Sequence, residues 1–185
     1  GGGGMVGQKL AHRITTTNIF PDADLTLFDR AFPSDGAKAK SVIGNIANPA
    51  TAQGLIAARP DVIFHLAAIV SGQAEAEFDL GWDVNMMAMW HLLTALKDEH
   101  DASNGTYRPR VVFTSSIAVY GGPYPDKIDD TFLSAPQTSY GAQKAACELM
   151  LSDFSRKGFI DGLSLRLPTI CVRPGKANAA ASSFF

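Results

Sequence analysis

The run Asp61-Val-Ile-Phe-His-Leu-Ala67 is short and almost wholly apolar, as a strand buried on both faces would be. Three further runs share this character: Leu25-Thr-Leu-Phe28, Arg110-Val-Val-Phe-Thr-Ser115 and Gly162-Leu-Ser-Leu-Arg-Leu167. Stretches with a helical apolar pattern lie between them: Ala50 to Arg59, Val84 to Lys97 and Ser139 to Lys157. Strands of this kind that alternate with helices are typical of a parallel sheet covered on both sides. The sequence therefore predicts an α/β domain built on a doubly wound parallel sheet.

The composition of the 185 residues suits one globular domain with a full core. Hydrophobic residues make up 46% of the chain and charged residues 18%, which excludes a disordered protein. The formal net charge of −2 gives no electrostatic reason to expect nucleic acid or an anionic membrane as a partner. The two cysteines, Cys147 and Cys171, lack metal-ligand spacing, and their low number fits a cytoplasmic location.

The glycine-rich segment Gly1-Gly2-Gly3-Gly4-Met5-Val6-Gly7 precedes a helix-like phrase. Glycines at positions 1, 4 and 7 allow the backbone to approach a pyrophosphate at a helix N-terminus. The alternative is a flexible linker, for which four glycines are typical. Asp29 favours nucleotide binding, because it ends a predicted strand 22 residues after Gly7, where a carboxylate holds a ribose hydroxyl in NAD sites. The same carboxylate would repel the extra phosphate of NADP, so the sequence predicts NAD.

Tyr140 and Lys144 lie four residues apart and share one face of a predicted helix. A nearby ammonium favours the phenolate, so this pair can form a base that takes a proton from an alcohol. The spacing is common on helices by chance. Ser116 strengthens the interpretation, because it follows a predicted strand and can bind the oxygen that loses the proton, although a turn serine is the alternative. The four histidines form no ligand pattern such as HExxH, so no metal is predicted.

These features together resemble the extended short-chain dehydrogenase/reductase family, which includes nucleotide-sugar epimerases and dehydratases. The motifs occur in the family's order and spacing over almost the whole chain: the glycine segment, Asp29, His65-Leu-Ala-Ala68, Asn85, Ser115-Ser116-Ile-Ala-Val-Tyr-Gly121 and Tyr140-x-x-x-Lys144. The resemblance implies a Rossmann-like NAD-binding domain over residues 1–185. It also implies that the first strand and the small C-terminal domain that shapes the substrate pocket are missing, so we expect a fragment, or the ordered part, of a longer protein.

The resemblance assigns roles to matching positions. Tyr140 would accept the proton, Lys144 would lower its pKa and hold the nicotinamide ribose, and Ser116 would bind the reacting hydroxyl. Cofactor contacts are implied at Gly1, Gly4, Met5, Val6, Gly7, Asp29, Asn45, Ile46, Leu66, Ala67, Ala68, Asn85, Ser115, Tyr140, Lys144 and Pro168. Substrate contacts are implied at Ser71, Ser116 and Arg173.

The expected activity is NAD-dependent oxidation of a secondary hydroxyl of a small sugar acid. An acid substrate needs a cation for its carboxylate, and Arg173 is the candidate, with Lys176 second. The alternative for Arg173 is a structural salt bridge. The alternative activity is that of a nucleotide-sugar 4-epimerase or dehydratase that uses the same residues. A nucleotide-binding regulator without catalysis is disfavoured, because both Tyr140 and Lys144 are present. The stretch Val84 to Lys97 is apolar nearly all round, which indicates either ordinary core or the contact of a homodimer.

Overall fold

The computed structural model of the chain describes residues 1–17 and 19–170. The helices are α1 (Met5–Thr16), α2 (Pro49–Ile56), α3 (Ser71–Ala76), α4 (Phe78–Gly81), α5 (Ala88–Ala102) and α6 (Ser139–Arg156). A π-helical turn (Trp82–Met87) leads into α5, and a 3₁₀ turn (Ile117–Val119) follows β4. The strands are β1 (Thr26–Asp29), β2 (Lys40–Ile43), β3 (Val62–His65), β4 (Arg110–Ser116) and β5 (Asp161–Leu167).

The described strands form two parallel sheets, one with the order β1-β2 and the other with the order β3-β4-β5. The α/β prediction is confirmed, and the four predicted apolar runs correspond to β1, β3, β4 and β5. The glycine segment lies between the two sheets, where a Cβ on Gly1 would be 2.5 Å from Leu66 and one on Gly2 would be 2.9 Å from Leu27. Only residues without side chains fit this gap, so the segment is a packed part of the domain and not a flexible linker.

The core lies where α2, α5 and α6 cover the larger sheet. Its fully buried side chains include Met89, Leu93, Leu96, Val111, Phe113, Cys147, Leu151 and Ile160. The predicted helix Val84 to Lys97 corresponds to the π-helical turn and most of α5, and its apolar character is largely accounted for by this core. Cys147 is a small buried residue of this core, whereas Cys171 lies outside the described residues.

The first turn of α6 packs closely against the 3₁₀ turn that follows β4. Thr138 caps the helix, because its Oγ1 accepts a hydrogen bond from the Gly141 amide at 3.0 Å. A Cβ on Gly141 would lie 2.2 Å from the carbonyl oxygen of Ala118. This close approach brings the first turn of α6 to the carboxyl end of β4.

Alanine substitutions at Gly54 and Gly141 are expected to change the free energy of unfolding in opposite directions. A Cβ at Gly54 on α2 meets no heavy atom within 4 Å. Gly54→Ala should therefore raise the free energy of unfolding by about 0.5–1 kcal/mol through reduced entropy of the unfolded chain. Gly141→Ala should lower it by about 1–3 kcal/mol, because the new methyl group would overlap Ala118. Urea denaturation of the whole protein measures both changes, and a stabilising Gly141→Ala would contradict the close contact.

Candidate active site

A cleft of about 910 Å³ extends across the carboxyl ends of β1, β3 and β4. This edge of an open α/β sheet is where such folds bind their ligands. Most residues that the sequence predicts for the site line the cleft: Gly1, Gly4, Met5, Val6, Gly7, Asp29, Asn45, Ile46, Leu66, Ala67, Ala68, Ser71, Ser115, Ser116, Tyr140, Lys144 and Pro168. Asn85 does not line it, and Arg173 and Lys176 lie outside the described residues.

The N-terminus of α1 faces one end of the cleft. The helix begins at Met5 after Gly4, which has no side chain to cap it, and its first turn contains no acidic residue. The amides of a helix's first turn have no partner within the helix and carry a partial positive charge. A Cβ at Gly7 would lie 2.2 Å from the carbonyl oxygen of Gly1, so the loop can fold this tightly only with glycine there. The arrangement fits a pyrophosphate group held by backbone amides.

The carboxylate of Asp29 is fixed beside this loop at the end of β1. Its Oδ2 accepts a hydrogen bond from the Gly3 amide at 2.9 Å, and its Oδ1 accepts one from the Arg30 amide at 2.6 Å. An ionised carboxylate has further lone pairs, so it can still accept hydrogen bonds from two ribose hydroxyls. Asn45, which also lines the cleft, uses its Oδ1 to accept a hydrogen bond from the Ala47 amide at 3.2 Å.

Ser116, Tyr140 and Lys144 converge at the other end of the cleft. Ser116 ends β4, where its Oγ accepts a hydrogen bond from the Ala118 amide at 3.1 Å, and its side chain lies close enough to the Tyr140 hydroxyl on α6 to lower the pKa of that phenol. Lys144, which is 1% exposed, donates from Nζ to the carbonyl oxygen of Thr114 at 2.9 Å. Its Nζ lies 5.5 Å from the centroid of the Tyr140 ring. The structure thus brings together the three side chains that the sequence selects for proton transfer.

The electrostatics of this cluster differ from the sequence-based expectation. Burial raises the pKa of Tyr140, and the hydrogen bond with Ser116 only partly opposes that effect. Lys144 Nζ lies over the ring of Tyr140 and donates its hydrogen bond to the Thr114 carbonyl. Burial also lowers the pKa of Lys144 itself, to about 8. In this arrangement the desolvation of the phenol outweighs the effect of Ser116, so the phenolate needs additional positive charge in the cleft.

His65 occupies a structural position beneath the cleft. It is buried, and its ring stacks on Phe113 with the centroids 5.9 Å apart. Burial and the charge of Lys144 lower the pKa of His65 to about 3, which keeps the imidazole neutral. A neutral, buried imidazole that stacks on Phe113 indicates a structural role for His65.

Asn85 supports the cleft indirectly from the π-helical turn. Its Oδ1 accepts a hydrogen bond from the Ile69 amide at 2.9 Å, and its Nδ2 donates to the Ile69 carbonyl at 3.3 Å and to Gln143 at 2.8 Å. The side chain is 1% exposed and does not line the cleft, and the cofactor contact that the resemblance implies for Asn85 stays a prediction. In this structure Asn85 fixes the segment after β3 that forms one wall of the cleft.

Sequence reasoning missed several residues that line the cleft, among them Arg30, Tyr120, Tyr124, Gln137, Thr138 and Thr169. Tyr120 lies inside the Ser115–Gly121 motif, and Gln137 and Thr138 immediately precede the Tyr140–Lys144 pair, so proximity to motifs was a usable signal. Arg30 follows Asp29 directly. Ser115 was expected to contact the cofactor, but its hydroxyl donates a hydrogen bond to Glu148.

Comparison with known proteins gives consistent matches along the chain. The model of the NAD dependent epimerase/dehydratase family matches residues 1–182. The chain is 49% identical over 193 residues to D-erythronate dehydrogenase of Cupriavidus necator and 42% identical over 187 residues to that of Haemophilus influenzae, and it is covered completely in both cases. A crystal structure described as the nucleoside-diphosphate-sugar epimerase from Agrobacterium tumefaciens matches with a TM-score of 0.89 and 49% identity over the whole chain. The chain spans 58% of each dehydrogenase and 55% of the crystallised protein.

Proposed function

The chain belongs to the NAD dependent epimerase/dehydratase family, and on that basis we propose that it forms the NAD-binding and proton-transfer part of a sugar-acid dehydrogenase. The convergence of Ser116, Tyr140 and Lys144 at one end of the cleft is the observation that carries this proposal. The reaction is the oxidation of a secondary hydroxyl of a small substrate that resembles D-erythronate.

The residues of the cleft fit NAD from end to end. The amides at the start of α1 would hold the pyrophosphate, and Asp29 would bind the hydroxyls of the adenosine ribose. Asn45 and Ile46 would lie beside the adenine. Lys144 uses one ammonium proton for the Thr114 carbonyl, which leaves two for hydroxyls of the second ribose. When bound, NAD supplies the nicotinamide that accepts the hydride and adds positive charge to the cleft.

The protein's own part of the reaction is to hold the substrate oxygen and remove its proton. Ser116 would hydrogen-bond the substrate oxygen, and Tyr140 would take the proton as a phenolate. Because burial raises the pKa of Tyr140, the phenolate depends on positive charge close to it. Lys144 provides part of that charge as long as it stays protonated, and with a pKa of about 8 it is mostly protonated at pH 7.

Two observations favour a small polyol acid over a nucleotide sugar. Relatives that are 42–49% identical over the whole chain are D-erythronate dehydrogenases. The residues around the catalytic cluster are rich in hydroxyl and amide groups that suit a polyol: Ser71, Tyr120, Tyr124, Gln137 and Thr138. Among the described residues the cations that line the cleft are Arg30 and Lys144, so the role of Arg173 in binding a carboxylate stays a prediction. The second candidate function is that of a nucleotide-sugar epimerase, because the similar Agrobacterium tumefaciens structure is described as one.

Assembly and location are also proposals. We expect a homodimer, because α5 and α6 carry large apolar side chains that are exposed in the single chain, with Trp90 at 42% and Leu149 at 75%.

Within the described ranges no helix is long and apolar enough to cross a membrane. The cytoplasm is the location that the low cysteine content favours.

Tyr140→Phe in the whole protein tests the proton-transfer role. The change removes only the hydroxyl, so the rate of NADH formation should fall by at least roughly 10²-fold while NAD affinity stays close to that of the parent. Tyr107→Phe is the matched control, because the Tyr107 hydroxyl donates to the Pro60 carbonyl and does not line the cleft. Full activity of Tyr140→Phe would refute the assignment.

A substrate comparison separates the two candidate functions. With NAD and D-erythronate, the parent should produce NADH, which is followed by its absorbance. With a UDP-sugar it should produce neither NADH nor the epimer. Epimerisation of the UDP-sugar without net NADH would replace the dehydrogenase proposal with the epimerase.

Asp29→Asn is expected to shift cofactor preference toward NADP. The substitution keeps the shape of the side chain but removes the charge that repels a ribose phosphate, and Arg30 lies next to it as a cation. The ratio of kcat/KM for NADP to that for NAD should rise about tenfold or more, which corresponds to roughly 1.4 kcal/mol. Asp153→Asn on the exposed face of α6 should leave the ratio unchanged, and an unchanged ratio in Asp29→Asn would contradict the role of Asp29.

A further inference from the structure

A cluster of polar side chains borders the cleft behind the catalytic residues. Ser115 and Tyr120, which flank the 3₁₀ turn, line the cleft, whereas their partners Ser134, Glu148 and Arg166 do not. Arg166 on β5 donates from Nε to both carboxylate oxygens of Glu148 at 3.1 Å and from Nη2 to Oε2 at 2.8 Å. The same guanidinium donates to the Tyr120 hydroxyl at 2.6 Å and to Ser134 Oγ at 3.3 Å. All three nitrogen atoms of the Arg166 guanidinium therefore form hydrogen bonds within the protein.

Glu148 holds the end of β4 through Ser115. The Ser115 hydroxyl donates a hydrogen bond to Oε1 of Glu148. Side chains of successive strand residues point to opposite faces of the sheet. Binding Ser115 on one face therefore sets Ser116 on the other, where its hydroxyl meets Tyr140.

Arg166 holds the far side of the same turn through Tyr120. Tyr120 directly follows the 3₁₀ turn that begins after Ser116, and its hydroxyl accepts a hydrogen bond from Arg166. The guanidinium carbon also lies 4.9 Å from the centroid of the Tyr120 ring. The short segment that contains Ser116 is thus anchored at both ends to one ion pair.

The ion pair is shielded well enough to act as a rigid support. The side chains of Glu148 and Arg166 are 11% and 29% exposed, and neither lines the cleft. Bidentate pairing of a guanidinium with a carboxylate fixes both groups in one plane. Both side chains line a neighbouring cavity of about 840 Å³, but each nitrogen of the Arg166 guanidinium already has a partner within the protein, which favours a supporting role.

We propose that Glu148 and Arg166 are positioning residues of the active site, which orient Ser116 toward Tyr140 without touching substrate or cofactor. This proposal rests on the proposed function, since it concerns the same proton-transfer cluster. It extends the Tyr140–Lys144 pair by one further helical turn, because Glu148 follows Lys144 by four residues on α6.

The kinetic test compares Arg166→Met with Arg110→Met in the whole protein. Arg110 forms an ion pair with Asp161 that joins β4 to β5 at their other ends, so its loss controls for weaker pairing of these strands. Arg166→Met should lower kcat by roughly ten- to hundredfold through misplacement of Ser116, while the dissociation constant of NAD stays unchanged. Arg110→Met should change neither value. The double variant Arg166→Met/Glu148→Gln should be no slower than Arg166→Met, because the two residues act as one unit.

A second measurement needs no substrate turnover. Absorbance titration of the parent against Tyr140→Phe gives the pKa of the Tyr140 phenol by difference. The hydrogen bond with Ser116 lowers that pKa, so Arg166→Met should raise it and Arg110→Met should not. An unchanged kcat and an unchanged Tyr140 titration in Arg166→Met would overturn the proposal. Full activity of Tyr140→Phe would instead refute the proposed function, so the two failures are distinguishable.

Discussion

The hydrogen bond from Lys144 Nζ to the carbonyl oxygen of Thr114, 2.9 Å long, fixes α6 against the end of β4. An ammonium that is 1% exposed loses its hydration, so this bond and the neighbouring Phe113 ring, 4.6 Å from Nζ, must replace it. Three residues of α6 that lie four apart then contact the end of β4. Tyr140 meets Ser116, Lys144 meets Thr114, and Glu148 meets Ser115. The geometry of the reacting groups follows from this one alignment.

The other side of α6 determines the opposite wall of the cleft. Oε1 of Gln143 accepts a hydrogen bond from the side-chain amide of Asn85, and the Cys147 thiol donates one to the backbone carbonyl of Asn85 at 3.1 Å. Asn85 in turn binds both backbone groups of Ile69, which belongs to the segment that follows β3. The π-helical turn that carries Asn85 is an arrangement found mainly at functional sites. Helix α6 thereby connects the catalytic cluster to the wall along which a flat cofactor would lie.

The sequence predicted strands correctly where a local run of apolar residues coincides with a strand of the sheets. The apolar runs identified β1, β3, β4 and β5, because strands of a parallel sheet read as continuous hydrophobic stretches, although Leu163 and Leu165 of β5 are exposed in the single chain. Strand β2 was missed, since Lys40-Ser-Val-Ile43 is short and mostly exposed. The sequence selected Ser116 as the serine that binds the reacting hydroxyl, but it could not show what holds Ser115 and Ser116 in place. Their placement depends on Glu148, which lies 33 residues away from Ser115, and on Arg166, which lies a further 18 residues along the chain. The sequence also did not predict that the pKa of Tyr140 is raised, because the burial that raises it exists only in the assembled fold.

The central claim is that one cleft holds a dinucleotide with its phosphates on α1 and its reacting end beside Tyr140. The most direct test is a crystal structure of the whole protein with NAD. It should show the pyrophosphate oxygens against the amides of the first turn of α1 and ribose hydroxyls bonded to Asp29 at one end and to Lys144 at the other. A cofactor bound elsewhere, or one whose nicotinamide points away from Tyr140, would contradict the account.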